Sequence, residues 1–255
     1  MAIVSNKRGL ADNVYEQLKE WMFESRFSPG DRLPVDDIAT EMSVSRQPVM
    51  DAMKRLELEG FVSIVPQVGC KVREYSRESL HDFYLLLAYA EGLTAELAVE
   101  KATEEDLINL RVISEQIGRI SGQKLATPDM ARLYRTLNRK FHKEIRRIAR
   151  SPSMTELVES MGDRSDFFIA TSGRSIFAEK QRLKDAHVEH EGVLKAFFAR
   201  DAKQAGKAMK AHILETDVAM QEHLRGREEA AIASTKSNAD AQQAPAAKKR
   251  RALAT

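Results

Sequence analysis

Cysteine is almost missing: Cys70 is the single thiol in 255 residues. One thiol closes no intrachain disulfide, gives no sign of an oxidising compartment and excludes a cysteine-based zinc site. Glycine and proline are scarce, at 12 and 7 residues, which excludes collagen-like and low-complexity chains and folds made of many tight turns. Long apolar runs are lacking as well. The longest, Phe83 to Ala90, has eight residues, far short of the roughly 20 that cross a bilayer. Asn6, Lys7 and Arg8 arrive before any apolar leader can form, so no secretory signal is legible and a cytoplasmic protein is expected. No charge of one sign dominates: 40 Lys and Arg against 38 Asp and Glu give a net +2. What is plentiful is Ala, Leu, Glu, Lys and Met, all good helix formers. A mainly α protein of one or two domains is expected.

Val14, Leu18 and Met22 recur at i, i+4 and i+8 before Ser28-Pro29-Gly30-Asp31, which predicts a short amphipathic helix closed by a turn. A second helix is predicted from Val35 to Met42, with Asp36 and Asp37 in its first turn, where the macrodipole favours negative charge. A third opens with Ser45 as N-cap, buries Val49, Ala52, Met53 and Leu56, and ends at Gly60. Two β-rich runs, 61–65 and 70–73, are joined by Pro66-Gln67-Val68-Gly69 and read as a hairpin. Three helices and a hairpin in about 65 residues make a winged helix-turn-helix.

From Glu78 onward the periodicity is helical, punctuated by Thr103, Thr127-Pro128, Ser151-Pro152 and Asp201, each a helix-start signal. Helices are predicted over 78–102, 104–121, 128–149, 152–171, 176–199 and 202–225, forming an antiparallel bundle. The expected organisation is a DNA-binding domain at 8–74, a linker at 75–77, an all-helical domain at 78–226 and a disordered basic tail at 227–255.

A recognition helix needs polar and basic residues on its outer side to meet base edges and phosphates in the major groove. The third helix offers Ser45, Arg46, Gln47, Met50, Lys54 and Arg55 there. Arg46 suits guanine and Gln47 adenine, while Ser43 and Ser45 suit phosphates. In the hairpin, Gly69 allows close backbone approach and Lys71 supplies charge. Residues 1–75 carry 10 basic and 12 acidic side chains, so net charge does not signal nucleic acid. Distribution does, because Lys7, Arg8, Arg32, Arg46, Lys54 and Lys71 can share one surface.

Val14-Tyr15-Glu16-Gln17-Leu18, Ser28-Pro29-Gly30-Asp31-Arg32-Leu33-Pro34, Val44-Ser45-Arg46-Gln47-Pro48-Val49 and Arg55-Leu56-Glu57-Leu58-Glu59-Gly60-Phe61-Val62 together resemble the DNA-binding domain of GntR-type bacterial regulators. The resemblance covers nearly all of 10–73. That family usually has Arg-Glu-Ala where this chain has Met50-Asp51-Ala52, so a basic residue that commonly touches DNA is absent and an operator sequence does not carry over.

In the helical half, Asn138 and His142 lie four residues apart on one helix, with His190 and His212 on two later ones. Three helices can bring such a set together in a bundle interior. Three imidazoles with one oxygen ligand suit a divalent ion and leave positions open for a ligand. Asn138-Arg139-Lys140-Phe141-His142, Glu189-His190-Glu191-Gly192-Val193-Leu194 and Ala211-His212 look like the metal-binding signatures of the FCD class, the helical effector domain of FadR-like GntR regulators. The resemblance implies a homodimer that binds a small carboxylic acid beside a metal, Zn or Ni, and mostly acts as a repressor of an operator. Members often have Asp at the place of Asn138, and many have Arg at the place of Leu87, four residues before Glu91. Arg135, Arg146, Arg164 and Arg174 are therefore candidates for a substitute anion partner, and His187 for a further pocket donor. Two other readings stand beside the ligand-responsive regulator. One is a metal-dependent hydrolase with Glu144, Glu189 or Glu191 as general base; the other is a DNA-binding protein without effector control.

Overall fold

A computed structural model describes residues 7–123, 127–171 and 180–251. The amino-terminal unit runs α1 (Lys7–Phe23), β1 (Arg32–Leu33), α2 (Val35–Glu41), α3 (Arg46–Leu58), β2 (Val62–Val65) and β3 (Gly69–Val72). Val14, Leu18 and Met22 of α1 are buried with Ile38 and Ala39 of α2 and with Val49, Ala52, Met53 and Leu56 of α3, the stripes that periodicity predicted. Ser45 is the N-cap residue of α3, although its side chain makes no capping hydrogen bond. Gly60 follows the C-cap with φ +85°, the left-handed conformation glycine adopts without strain. The hairpin is antiparallel, pairing Val62 with Val72 and Val65 with Gly69. One strand was not predicted: β1 pairs antiparallel with β3, setting Arg32 opposite Lys71 and Leu33 opposite Cys70, so the sheet order is β1-β3-β2. Two residues are too few for alternation to reveal.

The helical unit follows as α4 (Arg77–Lys101), α5 (Glu104–Ser121), α6 (Pro128–Ala149), α7 (Pro152–Thr171), α8 (Lys180–Phe198) and α9 (Ala202–Arg251). Starts are set by local chemistry. Thr103 Oγ1 accepts from Asp106 N–H while Asp106 accepts from Thr103 N–H, a complete capping box; Thr127 caps α6 ahead of Pro128. Helix α4 packs against α6, α7 and α9, α5 against α6 and α8, and α8 against α9, which closes the bundle around Tyr84, Leu87, Tyr134, Phe141, Phe197 and Met209. Helix α9 differs from expectation. It continues to Arg251, past 226, where a disordered tail was expected. Residues 176–179 of the predicted fifth bundle helix lie outside the described residues.

Helix α7 joins the two units. Lys19 Nζ of α1 donates to Asp163 at 2.5 Å, Ser25 Oγ donates to the Ala170 carbonyl at 2.6 Å, and Phe61 meets Phe167 edge-to-face with centroids 5.5 Å apart. Tyr75, in the linker, stacks edge-on to Phe168 at 4.8 Å and its hydroxyl donates to the Gly60 carbonyl at 2.6 Å.

Candidate nucleic-acid interface and metal centre

On the outward side of α3 and the hairpin, Arg32, Ser43, Ser45, Arg46, Gln47, Lys54 and Gly69 are exposed, and Met50 and Lys71 are half-buried. Arg46 Nη1 donates to both oxygens of Asp36, at 2.6 and 2.7 Å, in an ion pair whose side chains are 63% and 75% exposed. Such pairs contribute little, so Arg46 can exchange Asp36 for a phosphate or a base edge at small cost. Gln47 donates to Asp51 at 2.9 Å and Lys54 reaches the same carboxylate at 3.4 Å. Across the sheet, Arg32 stands opposite Lys71; like charges directly opposed destabilise a ladder, and an anion held between them relieves the repulsion. Arg55 turns away from this side. Its guanidinium lies 3.6 Å over the Tyr15 ring and pairs with Glu59 and Asp12. The side chains of Lys7 and Arg8 lie outside the described residues. Burial pushes the Cys70 thiol up, which keeps it protonated and unreactive.

The bundle interior holds a second constellation. His142 of α6, His190 of α8 and His212 of α9 are 5%, 0% and 3% exposed, and their ligand atoms converge. His190 Nε2 lies 3.2 Å from His212 Nε2, which lies 3.3 Å from His142 Nε2. Tetrahedral nitrogens bound at about 2.0–2.1 Å sit about 3.3 Å apart, so the spacing fits a divalent ion. His212 Nδ1 donates to Glu189 at 2.7 Å, which leaves the Nε2 lone pair facing the other two rings, and Arg182 holds Glu189 from the far side at 2.6 Å. A carboxylate behind a ligating imidazole fixes its tautomer and direction. Burial, and then the neighbouring imidazoles, push His190 well below its ordinary value; burial lowers His212 as well, against the pull of Glu189. Both shifts favour the neutral ring, the form that ligates. Asn138 Oδ1 is buried without a hydrogen-bond partner and lines the same cavity as His142 and His212, one helical turn before His142. Three histidine nitrogens converge, and the Asn138 oxygen is a buried acceptor in the adjoining cavity.

The cavity beside this cluster leaves about 30 Å³ for a water-sized occupant and is walled by Leu87 and Glu91 of α4, Arg146 of α6, and Gly162, Ser165 and Asp166 of α7. Burial alone would raise the Glu91 carboxyl, but Arg146 and His142 overcome it and hold it down to about 2. Arg139 donates to Asp166 at 2.6 Å and stacks over Phe23 of α1 at 4.1 Å.

Of the side chains nominated by sequence as anion partners, Arg146 alone among the described ones reaches this cavity. Arg135 faces instead a cleft with Glu20 and Phe23 of α1. Arg164 donates to Tyr75 Oη at 3.0 Å and lies over Phe83, a junction role. His187 points at Gly118 of α5, since three residues before His190 is a different azimuth from the ligating one. Arg174 lies outside the described residues. The three glutamates nominated as bases are engaged: Glu144 with Arg147, Glu189 with Arg182 and His212, and Glu191 with Ser114 and Arg111. Glu189, nominated as a base, instead backs His212, and Glu91 was not nominated because its contact with Arg146 lies 55 residues away along the chain.

The model of the gntR family of bacterial regulatory proteins matches residues 10–72, and the FCD domain matches 82–215. The HTH-type transcriptional regulator YdhC of Bacillus subtilis is 26% identical over 190 residues, 69% of this chain and 83% of its own. The HTH-type transcriptional repressor GlaR of Escherichia coli is 22% identical over 212 residues, 83% and 96% of the two chains. Among solved structures, E. coli McbR/YncC superposes with a TM-score of 0.71 at 23% identity, covering 85% of this chain and 98% of that one, a likeness of fold.

Proposed function

Because the chain belongs to the gntR family of bacterial regulatory proteins and carries an FCD domain, a family of transcription regulators rather than enzymes, we propose that its DNA binding is controlled by a small carboxylic acid held in the helical unit. The DNA-binding unit spans 8–74 and the effector-binding and dimerisation unit 78–226, divided by the 75–77 linker. The protein acts in the cytoplasm, as a repressor; among the described residues no helix is long and apolar enough to cross a membrane, and a relative matched over 83% of this chain is named a repressor.

On the DNA side, Arg46 and Gln47 read base edges while Arg32, Ser43, Ser45, Lys54, Lys71 and the backbone at Gly69 hold phosphates; Met50 takes an apolar contact, such as a thymine methyl. In the bundle, Asn138, His142, His190 and His212 hold Zn or Ni. The ion, when bound, supplies a positive centre for the acid's carboxylate, and Glu189 orients the imidazole of His212.

A single observation carries the control: one helix, α7, walls the cavity with Gly162, Ser165 and Asp166 and docks the DNA-binding unit through Asp163, Phe167 and Ala170. An acid that shifts α7 shifts the reading helix with it. Homodimerisation is supported by Leu86, Tyr89 and Leu93, a stripe on α4 that is 58%, 58% and 50% exposed, an apolar surface of the kind partner chains cover. The test is elemental analysis of the purified full chain together with calorimetry. One divalent ion per chain, lost in His142→Ala/His190→Ala, and an acid that changes operator affinity support the reading; absence of the ion removes its metal part, and an acid bound without effect on operator affinity removes the control.

A further inference from the structure

The outward side of α3 carries an acid where a helix that meets phosphates is expected to carry bases. Asp51 stands four residues after Gln47 and three before Lys54, spacings that share one helix face. Its Oδ1 accepts from Gln47 Nε2 at 2.9 Å and from Lys54 Nζ at 3.4 Å. The side chains of the Asp51–Lys54 pair are 45% and 60% exposed, so the carboxylate stands in solvent among the groups that face DNA rather than beneath them. It is also the place where Met50-Asp51 replaces the usual Arg-Glu.

Hydrogen-bond valence gives this acid a task. A carboxylate only accepts, so the Gln47 amide turns its NH2 toward Asp51 and its carbonyl away. An amide reads adenine with its oxygen and the one N–H on the oxygen's side. The other N–H is free to be held from along the helix without disturbing that edge. Released from Asp51, the amide can turn over and exchange donor for acceptor. The same negative charge opposes every phosphate within a Debye length, whatever the base sequence. Building on the assignment of this side of α3 to DNA, we propose that Asp51 is a positioning residue that raises discrimination and lowers affinity: it holds Gln47 in its adenine-reading orientation and disfavours non-operator DNA.

The test uses the full chain and an operator selected with it from random-sequence DNA. Affinities for the operator, its single-base-pair variants and a scrambled duplex are read by anisotropy at fixed salt. Gln47→Ala locates the base pair that Gln47 reads. At that pair Asp51→Ala is expected to lower the preference roughly 5-fold, the low end of a base contact's worth, while the scrambled duplex is bound roughly 2- to 5-fold more tightly. A side chain that merely supported the helix would weaken both. Asp51→Glu, which keeps the charge and the acceptor, restores both values, and in a Gln47→Ala background Asp51→Ala changes nothing further at that pair. Full preference retained in Asp51→Ala, preference lost at pairs that Gln47→Ala leaves alone, or scrambled DNA bound no more tightly overturns the inference alone. Gln47→Ala without effect at any base pair overturns the assignment of Gln47 as a reader and the inference with it.

Discussion

The two units handle polar chemistry in opposite ways. The DNA-binding unit keeps Arg46, Gln47 and Lys54 outside, on exposed pairs with Asp36 and Asp51, and its own core beneath them is apolar. The helical unit draws three histidines, Glu91 and Arg146 inside, all 6% exposed or less. Outward groups can be changed without touching the fold, because their partners are solvated and weakly held. Inward groups cannot, because each polar atom left unpaired in the interior costs about 1–3 kcal/mol. Reading DNA and sensing a ligand are therefore separable by mutation: one unit loses affinity while keeping stability, and the other loses stability along with its ligand.

Glu91→Ala sharpens that contrast most. It strands Arg146 in the bundle, at a cost of about 3–5 kcal/mol, and a drop of about 10 °C in melting temperature is expected by calorimetry. Arg46→Ala is the opposite case. Operator affinity falls roughly 10- to 100-fold in an anisotropy titration, the worth of a bidentate base contact, while the melting temperature stays within about 1 °C, as expected of an exposed pair. A large loss of stability here would break the comparison. Lys71→Ala is milder: binding weakens alike on all sequences, and the dependence of log affinity on log salt becomes shallower by about one.

The smallest effect lies at the foot of α4, where exposed His81 donates through Nδ1 to Asp217 of α9 at 2.5 Å. The bond to Asp217 raises the His81 value. The folded state therefore binds that proton more tightly than the unfolded one, and the stabilisation is complete below about pH 6.5 and disappears as pH rises through the raised folded value. The difference in melting temperature between the unmodified chain and His81→Gln is expected to shrink from pH 6 to pH 9.

The same contrast governs what the chain discloses before it folds. In the DNA-binding unit the elements are local and ordered along about 65 residues, so Val14, Leu18 and Met22, the Ser45 start and the Gly60 stop were all legible; β1, two residues held by distant β3, was not. In the bundle, helix boundaries were legible because Thr103, Thr127 and Pro128 act within one turn. The spacing of Asn138 and His142 and the histidines at 190 and 212 announced a cluster, yet its supports did not. Which of several arginines turns inward depends on Gly162 and Glu91, on two other helices, and Glu189 is aligned between Arg182 and His212, the latter 23 residues on. Arg135, Arg164 and His187 carry the right chemistry but meet α1, Tyr75 and Gly118 instead, contacts that composition cannot express. Beyond 226 there is no apolar periodicity to announce a helix.

The most direct test of control through α7 is a paired titration on one sample of metal-loaded full chain, with an operator selected from random-sequence DNA and an acid shown by calorimetry to bind the helical unit. Coupling through the shared helix predicts that saturating acid changes operator Kd by roughly 5- to 150-fold at fixed salt, and that operator changes the acid's Kd by the same factor. An acid that binds the histidine cavity while operator Kd stays where it was would contradict it.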